Sequence, residues 1–99
     1  MDAVKNQMQG AAVFGLSLAM FGEITAKDGK IEQSNFHDYP VLRMKDCPKI
    51  DVEVLVTDNP STGVGEPAVP PLAPALLNAV FAASGTRYRE LPLSKYGLV

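Results

Sequence analysis

The chain has 99 residues, 46% hydrophobic and 20% charged, with a formal net charge of −2. That length allows one domain at most, residues 1–99, and the composition is that of a folded chain rather than a disordered one. No two Lys or Arg residues are adjacent, so no basic patch for nucleic acid is expected, and one cysteine with one histidine excludes an internal disulfide and a self-contained transition-metal site.

In chain order, Val4, Met8, Ala11, Gly15, Leu18 and Ala19 recur at helical spacing and predict a helix from Ala3 to Phe21. Between Gly10 and Gly22 only Ser17 is polar, so this helix is apolar on every side. Its apolar part is shorter than the run of about 20 residues that spans a bilayer. It also lacks the basic leader and small-residue cleavage site of a secretory signal, and no signal peptide is expected. A buried helix is the expectation, with Ala11, Gly15 and Ala19 letting another backbone come close to one face.

Two short strands, Glu23–Ala26 and Lys30–Gln33, flank Lys27-Asp28-Gly29, and Asp-Gly is a strong hairpin signal. Ser34 to Pro48 has no sustained period and reads as an ordered connection anchored by Phe36, Tyr39, Val41, Leu42 and Met44. Ile50, Val52, Val54 and Val56 then alternate with Asp51, Glu53 and Leu55, which predicts a strand with one buried face. A loop rich in Pro, Gly and Asp covers Thr57 to Pro71. A second helix is expected from Leu72 to Ser84, with Pro74 tolerated in its first turn and Gly85 at its left-handed cap. A final strand is expected over Tyr88–Leu93. The fold class is therefore α+β, a small antiparallel sheet with two apolar helices against it. Helices without a polar face must be covered on all sides, and a two-layer domain of this size covers only one side of each. The sequence has the character of a piece of something larger, and a dimer or higher oligomer is expected of the isolated chain.

His37 and Cys47 lie in the irregular connection with no spacing that suggests a nucleophile and its base, so both read as structural. The loop Gly63-Val64-Gly65-Glu66-Pro67 is more informative. Pro67 and Ala68 break the dinucleotide fingerprint, and no Lys-Ser or Lys-Thr follows to make a phosphate-binding loop. The loop presents one carboxylate, Glu66, between a flexible turn and a proline-rich helix start. Spacing alone leaves it open between a solvated surface group and a reactive one.

That loop, with Pro70-Pro71 and the helix that ends at Gly85, resembles the C-terminal part of molybdenum hydroxylase large subunits, the xanthine dehydrogenase and aldehyde oxidase family. The isoquinoline 1-oxidoreductase type looks most similar. Gln7-Met8-Gln9-Gly10, Phe14-Gly15-Leu16-Ser17, Gly22-Glu23-Ile24-Thr25 and the run from Gln33 to Tyr39 agree with it in the same order. Arg87 to Leu93 looks like the end of that subunit, and a longer subunit would continue upstream of Met1. The fold implied is a fragment of the molybdopterin-binding domain.

The resemblance implies a role for each matching position. Glu66 would be the general base that deprotonates a Mo–OH, in an enzyme hydroxylating an aldehyde or N-heterocycle carbon with oxygen from water. Gln7 would hydrogen-bond the pterin, while Gly63, Val64 and Gly65 would bring backbone close to the cofactor, expected as the molybdopterin cytosine dinucleotide. Gln9 departs from the acidic residue expected there and is left without a role. The resemblance further implies two partners, the remainder of the large subunit and an iron–sulfur small subunit. With most of the cofactor's cradle elsewhere, the isolated chain is expected to bind no cofactor and to be inactive. The alternative is a stand-alone module that uses its apolar helices to oligomerise, without catalysis.

Overall fold

A computed structural model describes all 99 residues. The first helix, α1, runs Asp2–Phe21, with Asp2 in its first turn, where a carboxylate complements the exposed N–H groups. It ends at Gly22, whose N–H donates to the carbonyls of Ser17 and Leu18. The hairpin strands β1 (Ala26–Lys27) and β2 (Lys30–Ile31) follow, paired antiparallel with Ala26 opposite Ile31. Asp28 and Gly29 both adopt positive φ, 49° and 76°, the geometry that a two-residue turn between twisted strands requires. Gln33 closes the base of the hairpin: its Oε1 accepts from the Thr25 N–H at 2.8 Å and its Nε2 donates to Thr25 Oγ1 at 2.9 Å.

The second helix, α2, runs Leu72–Ser84, and Gly85 at φ 72° donates its N–H to the Phe81 carbonyl. Pro71 and Pro74 occupy its start, where a missing N–H costs no helical hydrogen bond. A 3₁₀ turn at Met44–Asp46 lies in the long connection, and another at Leu93–Tyr96 lies near the end.

Packing centres on α1. Ala11, Gly15, Leu16 and Ala19 form its buried face, and α1 is the element that meets both α2 and the Leu93–Tyr96 turn. The connection is tied to the same helix, because Ser17 Oγ accepts the Leu42 N–H at 3.0 Å. Gln9 Nε2 reaches the Ile50 carbonyl at 3.3 Å, which supplies a position without an expected role with a structural one.

Three expectations are corrected. The hairpin strands are shorter than expected and pack on neither helix, so the sheet is not a layer beneath α1 and α2. Ile50–Leu55 alternates in exposure, Val56 departs from the expected inward row, and the segment forms no strand, because no other segment of this chain lies beside it to complete a ladder. Tyr88–Leu93 is not a strand either: Pro92 has no N–H to donate, and Leu93 turns inward, 2% exposed.

Only six residues are buried, and α2 contributes none of them. The accessible surface is 7413 Å², against roughly 5,500 Å² for a compact monomer of this mass. The radius of gyration, 16.0 Å, likewise exceeds the value of about 13 Å for a compact chain of this length. The helices are therefore open on the faces that their composition requires to be covered. No helix is long and apolar enough to cross a membrane.

Candidate functional site

Glu66 begins a tight bend in which its carbonyl accepts the Val69 N–H at 2.9 Å, and the Val69 carbonyl in turn accepts from Leu72 at 3.3 Å. Two successive turns thus carry the chain from the glycine loop directly into α2. The bend is docked on α1 at Gly15, where an added Cβ would stand 3.1 Å from both the Val69 carbonyl oxygen and Leu72 Cβ. A side chain at Gly15 would hold the bend away from α1. The small residue therefore sets how near the Glu66 loop comes to Gln7, two turns up the same helix.

That docking brings Gln7 and Glu66 to one groove of about 300 Å³, shared with Gly10, Phe14 and Gly65. A second groove of about 390 Å³ lies on the outer side of the loop, between Gly63, Gly65, Glu66 and Pro67. Of the residues singled out in the sequence, Gln7, Gly65 and Glu66 are brought together, and Gly63 lies on the adjoining groove. Val64 lines neither groove and is half-buried.

No hydrogen bond or ion pair in this chain occupies the Glu66 carboxylate. The N–H groups of Gly63, Val64 and Gly65 likewise have no backbone acceptor. A Cβ at Gly63 would meet nothing within 4 Å, and one at Gly65 would meet only Gln7 Nε2, at 3.9 Å. The glycines are therefore not required by contacts within this chain; the space over them is open. An amide donor, free backbone donors and one carboxylate around an open groove fit the edge of a polar heterocyclic cofactor. The Glu66 carboxylate sets both grooves against the cofactor's phosphates, and no Lys or Arg lines either groove to offset it. No three His, Cys, Asp or Glu residues form a metal-binding group.

Phe14, which lies in a family-like run of an apolar helix, is 61% exposed and stands between the Gln7–Glu66 groove and an apolar pocket of about 390 Å³ lined by Phe36, Tyr39 and Leu42. Its helical position was legible; its exposure depended on which faces of α1 the rest of the chain covers. His37 and Cys47 stay apart from the site. His37 Nε2 lies 3.5 Å from Asp38, and the Cys47 thiol lies 3.6 Å from the Pro48 carbonyl oxygen. Asp38 caps its own turn: the backbone N–H groups of Asn35 and Ser34, followed by the Ser34 hydroxyl, hold its carboxyl below the usual carboxylate range.

The loop thus offers a carboxylate beside an amide-bearing helix, on a chain whose apolar helix faces are left uncovered. Along about 93% of its length this chain is homologous to a fragment of the molybdenum-binding large subunits of the xanthine dehydrogenase and aldehyde oxidase family. It is 40% identical over 92 residues to the isoquinoline 1-oxidoreductase beta subunit of Brevundimonas diminuta, covering 93% of this chain. It is 37% identical over 92 residues to a membrane-bound aldehyde dehydrogenase of Gluconacetobacter polyoxogenes, again over 93% of this chain, whose name carries pyrroloquinoline quinone and so lends no support to molybdenum. Identity is 32% over 97 residues, 91% of this chain, to a putative xanthine dehydrogenase molybdenum-binding subunit of Escherichia coli. The chain spans 12% of the length of the first two relatives and 13% of the third. No protein-family model matches it.

Proposed function

We propose that this chain acts as the segment of a molybdenum hydroxylase large subunit that supplies the general base and one pterin contact. It belongs in this reading to the molybdopterin-binding domain of an oxidoreductase that hydroxylates an aldehyde or N-heterocycle carbon with oxygen from water. The observation that carries the reading is the convergence of Gln7 and Glu66 on one groove. The molybdenum–pterin group, as its cytosine dinucleotide, would supply the oxidising centre when bound. Gln7 would hold the pterin edge through its side-chain amide, with the backbone of Gly63, Val64 and Gly65 lying close beside it. Glu66 would accept a proton at its carboxylate from the water-derived nucleophile, a role that requires hydrogen-bond reach and no competing partner. The remainder of the large subunit and an iron–sulfur small subunit are the proposed partners.

The test is a chimera in which this chain replaces the matching 92 residues of the isoquinoline 1-oxidoreductase beta subunit. The chimera should load molybdenum and oxidise an N-heterocycle or an aldehyde, and Gln7→Ala should lower the retained cofactor. A folded chimera without molybdenum would remove the proposal.

A further inference from the structure

We infer that Ile50–Val56 is one strand of a sheet whose neighbouring strand belongs to the remainder of the large subunit. The inference rests on the proposed reading of this chain as a subunit segment.

The segment alternates in exposure from Ile50 to Leu55 but has no partner. Ile50, Val52 and Val54 are half-buried while Asp51, Glu53 and Leu55 are exposed, the two-residue alternation of a pleated chain with one covered face. From Pro48 to Thr57 there is no helix, turn or bend. No backbone N–H from Asp51 to Val56 donates to an acceptor in this chain, and among the carbonyls of the segment only that of Ile50 accepts a bond, from Gln9. Unpaired backbone along an alternating apolar segment is a template for another strand, because each such group costs free energy when covered without a partner.

One face of the segment is already placed. Ile50 lies over a pocket of about 420 Å³ between Leu16 of α1 and Leu72 and Leu76 of α2. A sheet extended from here would lie across both helices and cover α2, which has no buried residue of its own. The exposed row carries Asp51 and Glu53, with Leu55 80% exposed and Val56 83% exposed beyond them. The incoming strand therefore places apolar side chains toward the helices and neutral or basic ones opposite the two acids.

A second copy of this chain avoids like charges only off the centre of the segment, as in a pairing centred on Val54 that sets Glu53 opposite Leu55 and pairs only Val52–Val56 within the segment. A two-fold antiparallel pairing centred on Glu53 sets that residue opposite itself, and one centred on Val52 sets Asp51 opposite Glu53, like charges in both cases. The relatives instead offer ample covering chain, since the whole of this chain spans only 12% of the isoquinoline enzyme's subunit.

Amide exchange read by mass spectrometry on the chimera and on the isolated chain tests the inference, with molybdenum content as a separate reading. The expected result is exchange at Asp51–Val56 at least ~100-fold slower in the chimera than in the isolated chain. Slow exchange in a chimera without molybdenum would uphold the strand while removing the proposed function. A chimera that loads molybdenum yet exchanges these amides as fast as the isolated chain would overturn the strand and leave the function standing. Slowing in the isolated chain that grows with concentration would make a second copy the occupant and would also overturn it.

Discussion

The carbonyl oxygen of Val69 lies where it would stand 3.1 Å from a Cβ at Gly15, and this contact joins the Glu66 bend to the helix that bears Gln7. Such a distance is closer than a side-chain carbon and a backbone oxygen normally settle. Alanine at Gly15 would gain about 1 kcal/mol of helix propensity and lose a comparable amount to the close contact. Valine gains less and crowds more. Gly15→Val should destabilise the chain by roughly 1–3 kcal/mol, read as a lower urea midpoint of the helical signal. An unchanged midpoint would mean that the bend gives way freely.

Ser17 is the single polar residue in the apolar stretch of α1, and its hydroxyl takes the part-buried Leu42 N–H. Ser17→Ala leaves that donor without an acceptor, at a cost of about 1–3 kcal/mol. Faster exchange of the Leu42 amide should accompany the loss, and unaltered exchange would show that the connection is held by its apolar anchors alone.

These two residues also show what was legible beforehand. The limits of α2, its proline start and its Gly85 cap were all readable, because each is decided by residues within a turn of one another. Asp28-Gly29 announced its turn for the same reason. Gly15 was readable as a site of close approach, but the identity of what approaches was not. The strand expected at Ile50–Val56 failed on a non-local condition, since alternation marks a face but cannot supply a neighbour, whereas Tyr88–Leu93 failed locally at Pro92. In the site, the Glu66 loop stood out through its family resemblance, whereas the exposure of Phe14 could not be read, since exposure on an apolar helix depends on the whole fold.

The turn capped by Asp38 should weaken in acid. Its carboxyl is held below the ordinary range chiefly by the Asn35 and Ser34 N–H groups, so its folded value lies under its unfolded one. The stabilisation is then complete above the unfolded value and is lost as pH falls through the folded value. The Ser34 and Asn35 amide resonances should shift together over that acid window in the wild-type chain. In Asp38→Asn the shift should be absent, and its persistence there would assign the titration to another group.

The open faces of the helices should make the isolated chain self-associate. Phe14, Phe36 and Phe81 are all exposed, and apolar surface of this extent exceeds what monomers ordinarily leave to water. Sedimentation velocity should show dimers or larger species that increase with concentration, assembled through the helix faces rather than the Ile50–Val56 edge. A single monomeric boundary at high concentration would contradict this.

Glu66→Gln in the chimera isolates the proposed role of Glu66 as general base. Glutamine preserves the size of the side chain and its hydrogen-bonding capacity but cannot take up the proton. Turnover should fall by ~10²–10⁴-fold while molybdenum content stays at the parent level, as the proposed role on a proton and not on the metal requires. Turnover near the parent rate with the cofactor fully retained would contradict the claim and make Glu66 an ordinary surface carboxylate.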